Sequence, residues 1–141
     1  MKKRKLKNFR DLHYLKSVQG IRLMTEQKTF LFHCHGGKDR TGVLAALILW
    51  TLGFTKDEII RDYLKTNDPV KYALYRYGLY LFGFNKNGIE AVLYNSFAMR
   101  PLIDAVFEAI ESRYGTPEAF LLQEYGITRE QIDGFRAYYL E

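Results

Sequence analysis

Thr29-Phe30-Leu31-Phe32-His33-Cys34-His35-Gly36-Gly37-Lys38-Asp39-Arg40-Thr41-Gly42 is the stretch on which the fold turns. Residues 29–33 are apolar and β-prone, which predicts a short buried strand. Two adjacent glycines follow, and from Thr41 to Leu52 the chain stays apolar long enough to form a buried helix. Strand, tight loop and helix in that order put Cys34 at the strand's end and Arg40 in the helix's first turn, six positions on. The glycines let the backbone curl closely around one small anion. The helix N-terminus adds partial positive charge. Arg40 can hold two phosphate oxygens through its planar fork, which lysine cannot copy. His35, Gly36, Gly37, Lys38, Asp39 and Arg40 are therefore the candidate phosphate-binding residues.

The same field acts on Cys34. A free thiol ionises near pH ~8.5, and helix N-termini or neighbouring cations lower that to roughly 3.5–7.5. A thiolate beneath a phosphate cradle is placed for in-line attack on phosphorus. The expected course is a phosphocysteine intermediate hydrolysed by water, with Arg40 and the loop N–H groups stabilising the equatorial oxygens in both steps. The chemistry asks for neither metal nor cofactor. A nucleotide-binding P-loop is excluded, because it needs Gly where Phe32 stands and Ser or Thr where Asp39 stands. Metal ligation by His33, Cys34 and His35 is disfavoured, since successive side chains of an extended chain alternate in direction. His33 is expected to hold the loop backbone by a hydrogen bond, and His35 to lie at the pocket rim.

His33-Cys34, five residues, then Arg40-Thr41-Gly42 resembles the signature loop of cysteine-dependent phosphatases. The variant Gly37-Lys38-Asp39-Arg40-Thr41-Gly42 is similar to that of the atypical bacterial and fungal tyrosine phosphatases, a group with dual-specificity and phosphoinositide-active members. Asp62-Tyr63-Leu64-Lys65-Thr66-Asn67 resembles the group's helix after the loop. Arg113-Tyr114-Gly115-Thr116-Pro117-Glu118-Ala119-Phe120 and Gly126-Ile127-Thr128 resemble its C-terminal end. The resemblance covers roughly residues 29–141 and the family's C-terminal part. It implies an α/β, cysteine-dependent phosphatase-like fold, rich in helix, with a short or incomplete central sheet. It implies Cys34, Arg40, Asp39 and Thr41 as catalytic residues, Thr41 stabilising the departing thiolate. Asp39 is either the proton donor or a brace of the loop, and Lys38 either contacts substrate phosphate or is solvated. Substrates of this reading are phosphorylated proteins, phosphotyrosine first, or phosphoinositides; the alternative is a phosphate-binding remnant without turnover. The family commonly has far more chain before the cysteine and a Trp-Pro-Asp acid loop, and this sequence has no such tripeptide; its one Trp is Trp50.

Further along, Gly53 predicts the stop of the buried helix. Thr55-Lys56-Asp57-Glu58 is a capping box that opens a helix from Lys56 to about Lys65, with Ile59, Ile60, Tyr63 and Leu64 inward. Tyr72, Tyr75, Tyr77, Tyr80, Phe82 and Phe84 form an aromatic band of helical or mixed spacing, expected to pack in a core or to lie as a lid over the pocket. Leu102, Val106, Ile110 and Tyr114 share one helical face ended by Gly115. Thr116-Pro117 starts another helix, and Thr128-Arg129-Glu130-Gln131 is a capping box for a last one to about Leu140. A lone strand leaves its backbone groups without ladder partners. Either residues 76–95 conceal strands, a homodimer or partner chain completes the sheet, or the chain is part of a larger domain.

The frame around these motifs is one domain of 141 residues, 48% hydrophobic and 16% aromatic, which excludes wholesale disorder. Six of the 21 basic residues (Lys2, Lys3, Arg4, Lys5, Lys7, Arg10) stand in the first ten, with no acid among them. Residues 1–28 read as a solvated basic arm with a short helix over 18–27, and residues 29–141 as one phosphatase-like region. No nucleic-acid partner is expected. A single cysteine fits a reducing, cytoplasmic setting, and no apolar run approaches the ~20 residues of a membrane span, so no stable insertion is expected.

Overall fold

The computed structural model describes residue 26 and residues 31–140, and wherever these are regular they are helical. The basic arm, most of the helix expected over 18–27, and Thr29 and Phe30 lie outside the described residues. Among the described residues seven helices follow one another: α1 Asp39–Leu52, α2 Lys56–Leu64, α3 Pro69–Leu81, α4 Lys86–Ser96, α5 Arg100–Tyr114, α6 Pro117–Tyr125 and α7 Arg129–Tyr139.

Their ends follow local chemistry. Gly53, left-handed at φ +98°, closes α1 and donates its N–H to the Leu49 and Trp50 carbonyls, a conformation only glycine adopts cheaply. Thr55 and Glu58 form the reciprocal capping box of α2. Asp68 accepts the Val70 and Lys71 N–H groups at the head of α3, and Thr128 with Gln131 caps α7. Each cap satisfies donors that the helix itself cannot.

The main core gathers around α1, which packs against α2, α6 and α7. Val43, Leu44 and Leu47 of α1 meet Ile59 and Ile60 of α2, Ile103 and Phe107 of α5, Leu121 of α6 and Ile132 of α7 in one buried cluster. Trp50 meets Phe107 edge to face at 4.9 Å. Arg136 of α7 donates to the Thr51 carbonyl (2.7 Å) and to Glu118 of α6 (2.7 Å), fastening the C-terminal end of α1. The helix that opens at the candidate loop is thus held on three sides.

Gly42, in the first turns of α1, lies against the ring of Tyr63 on α2. A methyl group there would stand 2.5 and 2.6 Å from two ring carbons, and Tyr63 is buried and cannot swing away. Gly42→Ala is therefore expected to destabilise the fold by a net ~1–2 kcal/mol, overpacking outweighing alanine's better helix propensity. A thermal melt reads this as a lower Tm; an unchanged Tm would mean that the α1–α2 contact is loose.

α3 and α4 pack on each other as a hairpin with a separate small core of Ile89, Leu93 and Phe97, joined by Tyr72, Leu79 and Met99. At its base the Asn67 side chain donates to the Ala98 carbonyl (2.7 Å) and accepts the Ala98 N–H (2.8 Å).

Three expectations need correction. Leu31, Phe32 and His33 have no regular structure, and Leu31 is 90% exposed rather than buried. Apolar, β-prone residues make a strand only beside another strand, and among the described residues there is none. The segment 76–95 conceals no strand but is the body of the α3–α4 hairpin. Most of the aromatic band does not pack into a core either: Tyr75, Tyr77, Tyr80, Phe82 and Phe84 are exposed, while Tyr72 joins the small cluster and the ring of Tyr75 meets its Phe97 edge to face at 5.7 Å. The helix-rich half of the fold expectation stands, whereas no central sheet is seen among the described residues.

Candidate active site

The loop from Cys34 to Lys38 is irregular, and α1 begins directly after it at Asp39. Gly37 takes the left-handed conformation at φ +64°, which a Cβ would strain. That turn reverses the chain so that several N–H groups face the half-buried sulfur of Cys34. Burial of the sulfur raises the thiol pKa. Against this work the Thr41 hydroxyl and the backbone N–H groups of Thr41, Gly36 and Gly37, and together they bring it from 9.0 to about 6. Hydrogen bonds aimed at the charged form favour it, and four on one sulfur outweigh its desolvation.

Thr41 is the side chain that reaches this sulfur. Its hydroxyl oxygen is buried and has no hydrogen-bond partner of good geometry among the described residues, and it stands where it favours the thiolate. Thr41→Val, which keeps the shape and removes the donor, is expected to move the midpoint of Cys34 alkylation upward from about 6. The sign follows from the thiolate being the reactive form: alkylation accelerates as pH rises through the pKa and levels off above it. An unmoved midpoint in an iodoacetamide rate–pH profile would remove Thr41 from the set.

Lys38 and Asp39 are brought together with each other. Lys38 Nζ donates to both Asp39 carboxylate oxygens at 2.9 Å. Asp39 is the first residue of α1, where the helix dipole favours a negative charge. Arg40 follows it in the same turn, and both Arg40 and His35 are exposed. His33 Nδ1 stands 3.4 Å from the Cys34 carbonyl oxygen, within the loop backbone that the sequence assigns it to hold. The structure thus groups Cys34, Gly36, Gly37 and Thr41 around one sulfur, pairs Lys38 with Asp39, and leaves Arg40 and His35 on the open side. Among the described residues no group of three His, Cys, Asp or Glu side chains could hold a metal ion.

One neighbour is not foreseen in the sequence. Tyr63 is read there only as a core residue, yet its buried phenol lies close enough to the Asp39 carboxylate for that charge to disfavour phenolate. Burial first, then Asp39, push its pKa well above the ordinary value. Gly42 is the signal that could have pointed to it, since a glycine inside a helix costs stability unless something approaches closely.

Compared with known proteins, residues 16–141 match the model of a tyrosine phosphatase family. The chain is 32% identical over 117 residues, 76% of its own length, to a Cupriavidus necator protein named as a putative tyrosine-protein phosphatase, covering 39% of that protein. It is 30% identical over 117 residues, 72% of its length, to a tyrosine-protein phosphatase of Nostoc commune, covering 36% of it. Over 50 residues, 36% of its length, it is 44% identical to the triple specificity protein phosphatase PtpB of Mycobacterium tuberculosis, covering 18% of that protein. The chain therefore spans less than half the length of these curated relatives.

Proposed function

The chain belongs to the tyrosine phosphatase family, and on that premise we propose that it hydrolyses phosphomonoesters, phosphotyrosine first, through a phosphocysteine. The observation that carries the proposal is the sulfur of Cys34, faced by one hydroxyl and three backbone N–H groups that bring its pKa to about 6. At pH 7 such a group is thiolate by about ten to one.

In the first step Cys34 Sγ forms a bond to phosphorus while the P–O bond to the phenol breaks. Asp39 supplies the proton that the leaving oxygen takes up. Lys38 holds both Asp39 oxygens at 2.9 Å, and a phosphate dianion competes for that ammonium. Arg40 binds two equatorial oxygens, and the N–H groups of loop residues 35–40 take the rest. In the second step water attacks phosphorus and passes its proton to the Asp39 carboxylate, the S–P bond breaks, and the Thr41 hydroxyl stabilises the departing thiolate. The reading needs no cofactor and no metal.

Phosphoserine, phosphothreonine or phosphoinositide substrates are the second choice, and a range wider than phosphotyrosine is in keeping with a relative named as a triple specificity protein phosphatase. A remnant that binds phosphate without turnover is the remaining reading. Hydrolysis of an aryl phosphate by the purified chain, inhibited by vanadate, supports the enzyme; phosphate binding without hydrolysis supports the remnant. Specific activity that rises with protein concentration would mean that a second copy completes the enzyme.

A further inference from the structure

Tyr63 of α2 is buried, 4% exposed, and takes no part in the two steps on phosphorus. Its ring lies against α1 at Gly42, where a methyl group would stand 2.5 Å from Cε2 and 2.6 Å from Cδ2. Asp39, the first residue of α1, stands three positions before Gly42 and on the same face of the helix. The absence of a side chain at 42 thus gives the ring its place one turn from the Asp39 carboxyl. The phenol oxygen at the ring's end is buried and has no hydrogen-bond partner of good geometry among the described residues. A phenylalanine would fill the same space without that cost, since a buried hydroxyl left without a partner costs about 1–3 kcal/mol. The groups that face the oxygen are Asp39 of α1, the Met99 N–H at the head of α5 and Tyr94 of α4. An N–H only donates, so Met99 leaves the phenol proton unspent. Burial first, and then the Asp39 charge, oppose loss of that proton. The phenol therefore stays a donor, and among the groups facing it the carboxylate is the strong acceptor.

Asp39 has capacity for a further bond. Lys38 Nζ reaches both of its oxygens at 2.9 Å, and each oxygen keeps another lone pair. Lys38 spans the two evenly and so does not select which of them turns outward. The Asp39 side chain is 37% exposed, so one flank meets solvent while Tyr63 lies on the buried side. A donor bonded to the inner oxygen leaves the outer one for proton transfer. We propose that Tyr63 is a positioning residue of the reaction: its phenol O–H donates to one Asp39 oxygen and so turns the other toward the leaving group. Tyr63 acts only through Asp39, a role that rests on the phosphatase reading and on Asp39 as its proton donor.

The test is the ratio of kcat/KM for phenyl phosphate to kcat/KM for 2,4-dinitrophenyl phosphate, in wild type and in Tyr63→Phe. Phenolate, the base of an acid of pKa ~10, needs a proton to leave, whereas dinitrophenolate leaves without one. Phenylalanine keeps the ring against Gly42 and removes only the O–H. Tyr63→Phe should lose about ten-fold or more on phenyl phosphate and at most about two-fold on the dinitrophenyl ester. Both values come from one preparation, so their ratio does not depend on the folded fraction, and kcat/KM leaves the hydrolysis of the phosphocysteine aside. Asp39→Asn should lower the ratio at least as far, and Tyr63→Phe added to it should change the ratio no more. An unchanged ratio in Tyr63→Phe would overturn the role while the phosphatase reading stands. So would a fall that persists undiminished in the Asp39→Asn background, or an Asp39→Asn chain with the wild-type ratio. A wild type that hydrolyses neither ester would end the phosphatase reading, and this role with it.

Discussion

Cys34→Ser is expected to lower kcat for an aryl phosphate by ~10⁴-fold or more while inorganic phosphate still binds within a few-fold of wild type. The asymmetry follows from the loop. The N–H groups of Gly36, Gly37 and Thr41 belong to the backbone and survive the substitution, so the anion cradle remains. What is lost is the charge on its floor. Four hydrogen bonds bring a thiol down to about 6, but a serine hydroxyl starts far higher and stays neutral under the same field. For wild type the same reasoning gives the pH dependence of kcat/KM: activity rises as pH climbs through about 6 and the thiolate forms. Turnover by the serine chain would end the covalent mechanism. Loss of phosphate binding along with turnover would mean that the sulfur, rather than the backbone, organises the loop.

Arg40→Lys is expected to lower kcat/KM by about 10²–10³-fold and to weaken phosphate binding. Lysine keeps the charge and nearly the reach, so the loss isolates the planar fork that engages two oxygens together. Arg40 is exposed in the first turn of α1 and takes no part in the buried core. A thermal melt of the variant, read beside the kinetics, separates this effect from unfolding. Near-normal kinetics would remove Arg40 from the site.

What is legible in the sequence is written in local chemistry. Thr55 with Glu58 and Thr128 with Gln131 announce helix starts because a side chain and a backbone three residues apart satisfy each other without help from the fold. Gly53 and Gly115 announce helix ends for the same reason. The sulfur-facing N–H groups are likewise readable, since Gly36 and Gly37 sit within three residues of Cys34. What fails is whatever depends on distant partners. Leu31 is β-prone and apolar, yet exposed, because a strand is a property of two segments and not of one. Tyr77 and Leu81 are apolar at helical spacing, yet face outward, because periodicity tells which residues share a face and not which way that face points. Tyr63 is placed inside correctly, but its nearness to Asp39 requires α1 and α2 to be docked first.

Asn67 and Ala98 hold one another through a pair of hydrogen bonds across 31 positions, so the chain leaves the main body and re-enters it at nearly the same point. Everything between them behaves as a cassette. Its removal and replacement by a short connector should leave the bundle around α1 standing, and its amides should exchange with solvent as a block, ahead of those of α1. A segment anchored in this way can diverge, lengthen or be traded among relatives without disturbing the chemistry next door, so variation in what such enzymes touch can accumulate there at little cost to what they catalyse.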